Sequence, residues 1–216
     1  MSRGALIVLE GCDKAGKSTQ CKKLVASLPK AKLLNYPNRT TAIGSIINKY
    51  LKNEIELTDE AVHLLFSSNR WEAKNEIINS LKEGTTLIID RYAYSGVAFT
   101  ASKQEFRNRL SWCQKPDIGL PKPDKVFYLT LNQEDMKNRG DFGHERYEKT
   151  EFQQQVHVNF QKLRAMDEKF QENEDLWSEI DAGRSIEKVF EELKSQCDLV
   201  MKKVENQEIG QLWSEQ

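Results

Sequence analysis

Gly11-Cys12-Asp13-Lys14-Ala15-Gly16-Lys17-Ser18 fits the spacing G-x-x-x-x-G-K-[ST]. It follows an apolar run, Ala5-Leu6-Ile7-Val8-Leu9, and opens a helical stretch from Lys17 to Leu28. In that setting the chemistry is phosphate binding. Glycines let successive backbone N–H groups turn inward around phosphate oxygens, the Lys17 ammonium reaches the outer phosphates, and the Ser18 hydroxyl suits Mg2+. A chance match in a chain of this length is on the order of one percent.

Five short apolar runs must position this loop: Ala5 to Glu10, Lys32 to Tyr36, Thr85 to Asp90, Lys125 to Leu131 and Leu176 to Asp181. They read as strands. Helical patterns separate them; Phe152, Val156, Phe160, Leu163 and Phe170 share one face of a helix predicted from Thr150 to about Phe170. Alternating strand and helix predicts an α/β fold, with a five-stranded parallel sheet covered by helices on both faces. Ligands of such sheets gather at the carboxyl ends of the strands. Tyr36-Pro37-Asn38-Arg39, Asp90-Arg91-Tyr92 and Asp181 all fall on that rim. The pattern beginning near Thr58 is apolar nearly all round, through Val62, Leu64, Leu65, Phe66, Trp71, Ile77 and Leu81, so a second face needs cover from substrate, a partner subunit or both. The Gly-punctuated stretch around 135–148, with Arg139 and Phe142, has the makeup of a lid.

At 216 residues, one well-buried domain accounts for the chain. Lys plus Arg (32) and Asp plus Glu (33) nearly cancel, which argues against a nucleic-acid or anionic-membrane partner. The four cysteines lack metal-ligand spacing and fit a reducing interior. A cytoplasmic location follows, with nuclear or mitochondrial pools left open.

Phosphate loops serve several reactions, so the rest of the chain must choose. Asn48-Lys49 is followed by Tyr50-Leu51 rather than the N-K-x-D of a guanine site, and D-x-x-G occurs only inside the loop itself. A kinase of small phosphorylated acceptors needs cations outside the loop to hold a second phosphate in line with the first. Arg39 and Arg91, both at strand ends, are suited to it.

Six segments then occur in a familiar order: Asp13 to Ser18, Tyr36 to Thr40, Leu64 to Trp71, Asp90 to Phe99, Lys122-Pro123-Asp124, and Phe142 to Glu148. Together they resemble the eukaryotic thymidylate kinases over nearly the whole chain. The resemblance implies a P-loop kinase fold, transfer of the γ-phosphate of ATP to dTMP with Mg2+, and a homodimer, here through apolar helices near residues 42–72. It implies that Gly11, Asp13, Lys14, Ala15, Gly16, Lys17, Ser18 and Thr19, with Arg139, hold the nucleotide donor, and that Ser18 and Asp90 order the metal. On the acceptor side it implies that Phe66 stacks on thymine and Arg70 donates to its O4. Arg39 and Arg91 grip the dTMP phosphate, Asp13 takes the sugar 3′-OH, and Tyr147 crowds the 2′ position. Tyr36, Tyr92, Gly96, Phe99 and Gln153 fall at substrate-side positions. Catalysis falls to Lys17, Lys14, Arg91 and Asp90.

Physical chemistry supports the base assignment. Guanidinium only donates, so it accepts the 4-keto group of thymine and uracil and rejects the 4-amino group of cytosine. On spacing alone Phe66 reads equally as core and Arg70 as a surface ion pair, and Asp13, Tyr147 and the arginines also have purely structural readings. No general base is needed, because the acceptor phosphate is already an anion at neutral pH. Two residues depart from the family pattern: Lys14 stands where arginine is usual, and Asn38 where glutamate is. Lysine keeps the charge but loses the planar fork, which predicts reduced turnover unless Arg139 compensates.

Overall fold

The computed structural model describes residues 2–132, 146–147, 149–171 and 175–214. Its sheet has five parallel strands: β1 (Leu6–Gly11), β2 (Ala31–Asn35), β3 (Thr86–Asp90), β4 (Lys125–Thr130) and β5 (Trp177–Asp181), in the spatial order β2-β3-β1-β4-β5. β1 lies at the centre because its residues alternate between two apolar layers and are fully buried on both faces. Leu6 and Val8 point into one layer with Leu87, Ile89, Val126 and Tyr128, whereas Ile7 and Leu9 join Ile88, Phe127 and Leu129 in the other.

Helices α1 (Lys17–Ser27) and α8 (Ile186–Val204) cover the second layer with Cys21, Leu24, Val189, Leu193 and Cys197. The first is covered by α4 (Lys74–Lys82), α5 (Ala93–Ala101) and α7 (Thr150–Gln171), through Ile77, Leu81, Val97, Ala98, Val156, Phe160 and Leu163. Two further helices, α2 (Ala42–Leu51) and α3 (Asp59–Trp71), build a small third cluster from Ile47, Tyr50, Leu51 and Val62. A short α6 (Leu110–Gln114) and a 3-10 turn, Lys115–Asp117, lead into β4.

The pattern starting near Thr58 is two helices rather than one. Thr58 caps the first by accepting from Ala61 N, and the chain breaks at Glu72-Ala73, where Ala73 N bonds Arg70 O. The break resolves the all-round apolarity. Val62 faces the third cluster, Ile77 and Leu81 face the sheet from α4, and Leu64 is left exposed. The segment after Glu205 packs. Leu212 is fully buried, and the tail pairs with residues 119–122 through Gly119 N to Leu212 O (2.9 Å), Leu212 N to Leu120 O (2.7 Å) and Lys122 N to Gly210 O (2.9 Å). Among the described residues, no helix is long and apolar enough to cross a membrane.

Candidate active site

A cavity of about 750 Å3 opens at the carboxyl ends of the strands. The phosphate loop forms one end. Gly11 (φ +142°) is required because a Cβ there would lie 2.3 Å from Leu129 O on β4. Gly16 (φ +81°) begins α1 with no side-chain cap, which leaves the first N–H groups of the helix for an anion. Lys14 holds a left-handed conformation (φ +64°) without being glycine. Lys17 is almost fully buried, and its Nζ donates to Cys12 O at 2.7 Å. Burial, then the positive charge of Arg91, lowers its ammonium to about 8. A buried ammonium facing a carbonyl is poised to exchange that partner for phosphate oxygens.

Beside it the Ser18 hydroxyl bonds Asp90 Oδ2, joining the first turn of α1 to the end of β3. An alcohol and a carboxylate are the hard oxygen donors that Mg2+ takes, and Mg2+ binds through few protein ligands when phosphates and water supply the rest. The pair fits that ion.

Arg91 also has a left-handed backbone (φ +65°), which turns its side chain from the strand end toward the loop. One arm donates to Gly11 O (2.9 Å) and Ser95 Oγ (3.1 Å), the other bonds Asp13 Oδ1, and the guanidinium lies 5.1 Å from the Phe99 ring centroid. Asp13 is tied on its far side by Gln153. That side chain donates to Asp13 Oδ2 (2.7 Å) and Tyr147 O (3.0 Å) and accepts from Asp13 N (3.0 Å). Gln153 is buried and does not line the cavity, and Gly11 likewise stands behind the wall.

At the other end the cavity is lined by Tyr36, Arg39, Phe66, Arg70, Gly96, Phe99 and Tyr147. Arg39 donates to Asn48 Oδ1 at 2.9 Å. Tyr147 stacks on Phe152 (ring centroids 5.1 Å apart), meets Phe99 edge-on and donates to Tyr50 Oη at 3.3 Å. Asn38 does not line the cavity. Its side chain accepts from Thr40 N and Thr40 Oγ1, and its backbone is bracketed by Asn69, so it shapes the turn that delivers Arg39. Arg139, Phe142 and most of the stretch proposed as a lid lie outside the described residues.

Every described residue read from the sequence as part of the site is thus gathered at one rim or directly behind it. Several residues at this rim escaped that reading. Glu10, fully buried at the end of β1, accepts from Tyr92 N (2.8 Å), Ser95 N (3.1 Å) and the Ser95 hydroxyl, and so caps α5 from a different element. Burial holds its carboxyl above the ordinary range, against the lowering effect of those hydrogen bonds and of Arg91. A carboxylate closing an otherwise apolar strand was the available signal. Arg184 lines the cavity beyond β5, where a basic residue after a strand end marks the same rim. Asp117 gave no local signal at all, yet it is fully buried and paired with Arg70.

Residues 9–193 match the family model for thymidylate kinase. The chain is 46% identical to the thymidylate kinase of Danio rerio and 45% identical to that of Homo sapiens, each over 215 residues and 98% of both chains. The structure of thymidylate kinase from Candida albicans superposes with a TM-score of 0.89 at 37% identity, covering 98% of this chain and 99% of that one.

Proposed function

Because this chain belongs to the thymidylate kinase family, which makes it an ATP-dependent dTMP kinase yielding dTDP and ADP, we propose how its residues divide that work. The carrying observation is a single cavity with a phosphate loop at one end, Arg91 tied to that loop through Gly11 O and Asp13, and Arg39 and Arg70 at the other end. Two anions that repel each other can be brought together only by cations placed between and around them.

At the donor end Lys17 and the loop amides, with Gly11, Asp13, Ala15, Gly16 and Thr19 shaping the turn, hold the ATP phosphates. Lys14 reaches the transferring group. Ser18 and Asp90 hold Mg2+, which when bound neutralises donor charge and orients the phosphates. Arg139 is assigned to the donor by the family resemblance alone, because it and Phe142 lie outside the described residues. At the acceptor end Arg39 and Arg91 grip the dTMP phosphate, Phe66 stacks on the base and Arg70 donates to O4. Tyr36, Gly96 and Phe99 wall the nucleotide, and Tyr147 closes the 2′ side. Asp13 serves twice: it fixes Arg91 and offers an acceptor to the 3′-OH, while Gln153 keeps it in place. The chemistry is positioning plus electrostatics, with no proton to remove from the nucleophile.

Preference for thymine over uracil rests on one methyl group, worth about 1–3 kcal/mol in an apolar pocket. The Candida albicans enzyme is described as having broad substrate specificity, and the same argument gives this chain activity on dUMP. One continuous sheet supports a single catalytic domain. Exposed Ile46 and Leu64 on α2 and α3 support a homodimer through that face, and four free thiols support a reducing, cytoplasmic setting. A monomeric mass at micromolar concentration would remove the dimer.

The deciding experiment measures ADP release from Mg-ATP with dTMP, dUMP, dCMP, AMP or no acceptor. Strong dTMP dependence, weaker dUMP and negligible dCMP is the expected pattern. ADP release that ignores the acceptor would overturn these acceptor-side assignments.

A further inference from the structure

We propose that Asp117 is a positioning residue for base selection: it fixes the Arg70 guanidinium in the one orientation that turns N–H donors toward a pyrimidine 4-keto oxygen. The inference rests on reading Arg70 as the donor to the base.

Arg70 ends α3, and Asp117 closes the 3-10 turn Lys115–Asp117, 47 residues away. Arg70 Nε donates to Asp117 Oδ1 at 3.0 Å, and one terminal nitrogen donates to Oδ2 at 2.7 Å. Both side chains are buried, at 2% and 0% exposure. A guanidinium has five N–H donors in one plane. Asp117 takes two along one edge, so the remaining three can face only away from it, and Arg70 lines the cavity. Gly96 approaches the same guanidinium closely. A Cβ at Gly96 would lie 2.6 Å from one terminal nitrogen of Arg70 and 3.0 Å from Cζ, so the guanidinium lies against bare backbone. The Asp117 edge and this close backbone together limit the rotations that would blur donor direction.

Asp117 is fixed in turn. The Ser67 hydroxyl lies 2.8 Å from Asp117 Oδ1 and 3.0 Å from Pro116 O, and Trp71 Nε1 donates to Pro116 O at 2.7 Å. Two residues farther on, Gly119 N donates to the carbonyl of buried Leu212. A fully buried ion pair is a weak source of stability, because desolvation offsets the attraction, and apolar residues of equal volume serve stability as well. Orientation is what apolar residues could not supply.

Asp117→Asn tests the idea by replacing one acceptor with a donor. In either amide orientation an N–H2 group faces an Arg70 N–H, so the bidentate contact must open. The expected result is a KM for dTMP raised about 10-fold or more with kcat changed far less, and dTMP:dCMP selectivity in kcat/KM lowered by a comparable factor. Ser67→Ala, which removes only one support of Asp117, shifts both quantities the same way by a smaller factor and keeps the test available should the asparagine variant misfold. Arg70→Met runs in parallel. Lost selectivity in Arg70→Met with KM and selectivity unchanged in the Asp117 and Ser67 variants, whatever their melting temperatures, overturns the role of Asp117 alone. Unchanged selectivity in all three overturns the reading of Arg70 and this proposal with it.

Discussion

The two ends of the cavity are built in opposite ways. The donor end is almost entirely local: one strand end, the loop from Cys12 to Gly16 and the first turn of α1 carry Gly11 through Ser18, with Asp90 reaching in from β3. The acceptor end draws on separate elements. Arg39 precedes α2, Phe66 and Arg70 lie on α3, Arg91 and Gly96 come from β3 and α5, and Tyr147 precedes α7. Some are held by partners distant in sequence, such as Asp117 for Arg70 and Gly11 with Asp13 for Arg91. A contiguous loop binds what every nucleotide donor shares, its phosphates. A distributed pocket can vary one wall at a time, and that is where recognition of a particular base and sugar belongs.

Mutations can break this contrast. Lys17→Met should cost most, lowering kcat by about 10²–10³-fold through loss of one charge-assisted contact to the transferring phosphates. If the donor end is self-contained, the equilibrium affinity for dTMP, measured by calorimetry without ATP, stays unchanged. A large loss of dTMP affinity would show that the ends are not separable.

Glu10→Ala should cost about 2–4 kcal/mol of unfolding free energy, because it leaves two buried N–H groups at the start of α5 without an acceptor. It should also raise the KM for dTMP, since Ser95 and hence Arg91 lose their support. Chemical denaturation and steady-state kinetics on the same variant check both effects; a stability loss with no change in KM would detach Glu10 from the acceptor end. Smaller still is the penalty for dUMP against dTMP in kcat/KM, about 5- to 160-fold for one methyl group. A ratio far beyond that would place a polar discriminator near the 5-position.

The pH profile sharpens the donor side. Lys17 must be charged to meet phosphate, and in the free enzyme burial lowers it to about 8. Its kcat/KM for ATP should therefore fall tenfold per unit as pH rises beyond about 8, whereas bound phosphates favour the ammonium and move the corresponding limb of kcat to higher pH. Coincident limbs would exclude Lys17 as their cause. The mildest effect expected is from Lys14→Arg, which should raise turnover about 5-fold, the equivalent of one further net hydrogen bond of about 1 kcal/mol. Unchanged or lower turnover would remove Lys14 from the transferring phosphoryl group.

One correction and one family departure mark where reading along the chain stops. The apolar residues from Val62 to Leu81 look like one helix with no polar face, because periodicity records spacing and not a change of direction at Glu72-Ala73. Asn38, a departure from the family pattern, proves to be a turn-forming side chain that does not line the cavity. In both cases the deciding contact lies far along the chain, at Pro116 and Asp117 for the end of α3 and at Asn69 for the turn.

Sequence alone determined the alternation of strands and helices, the position of the phosphate loop and the basic residues at the strand ends. Those features are written locally: short continuous apolar runs, a helical period of about 3.6, and glycines where only glycine can turn. Tertiary structure decided which edge of Arg70 faces the cavity, what caps α5 and what holds Asp13 between Arg91 and Gln153. Buried charges and helix ends must find partners wherever the fold brings them, and those partners lie 47 to 140 residues away, beyond the reach of any local pattern.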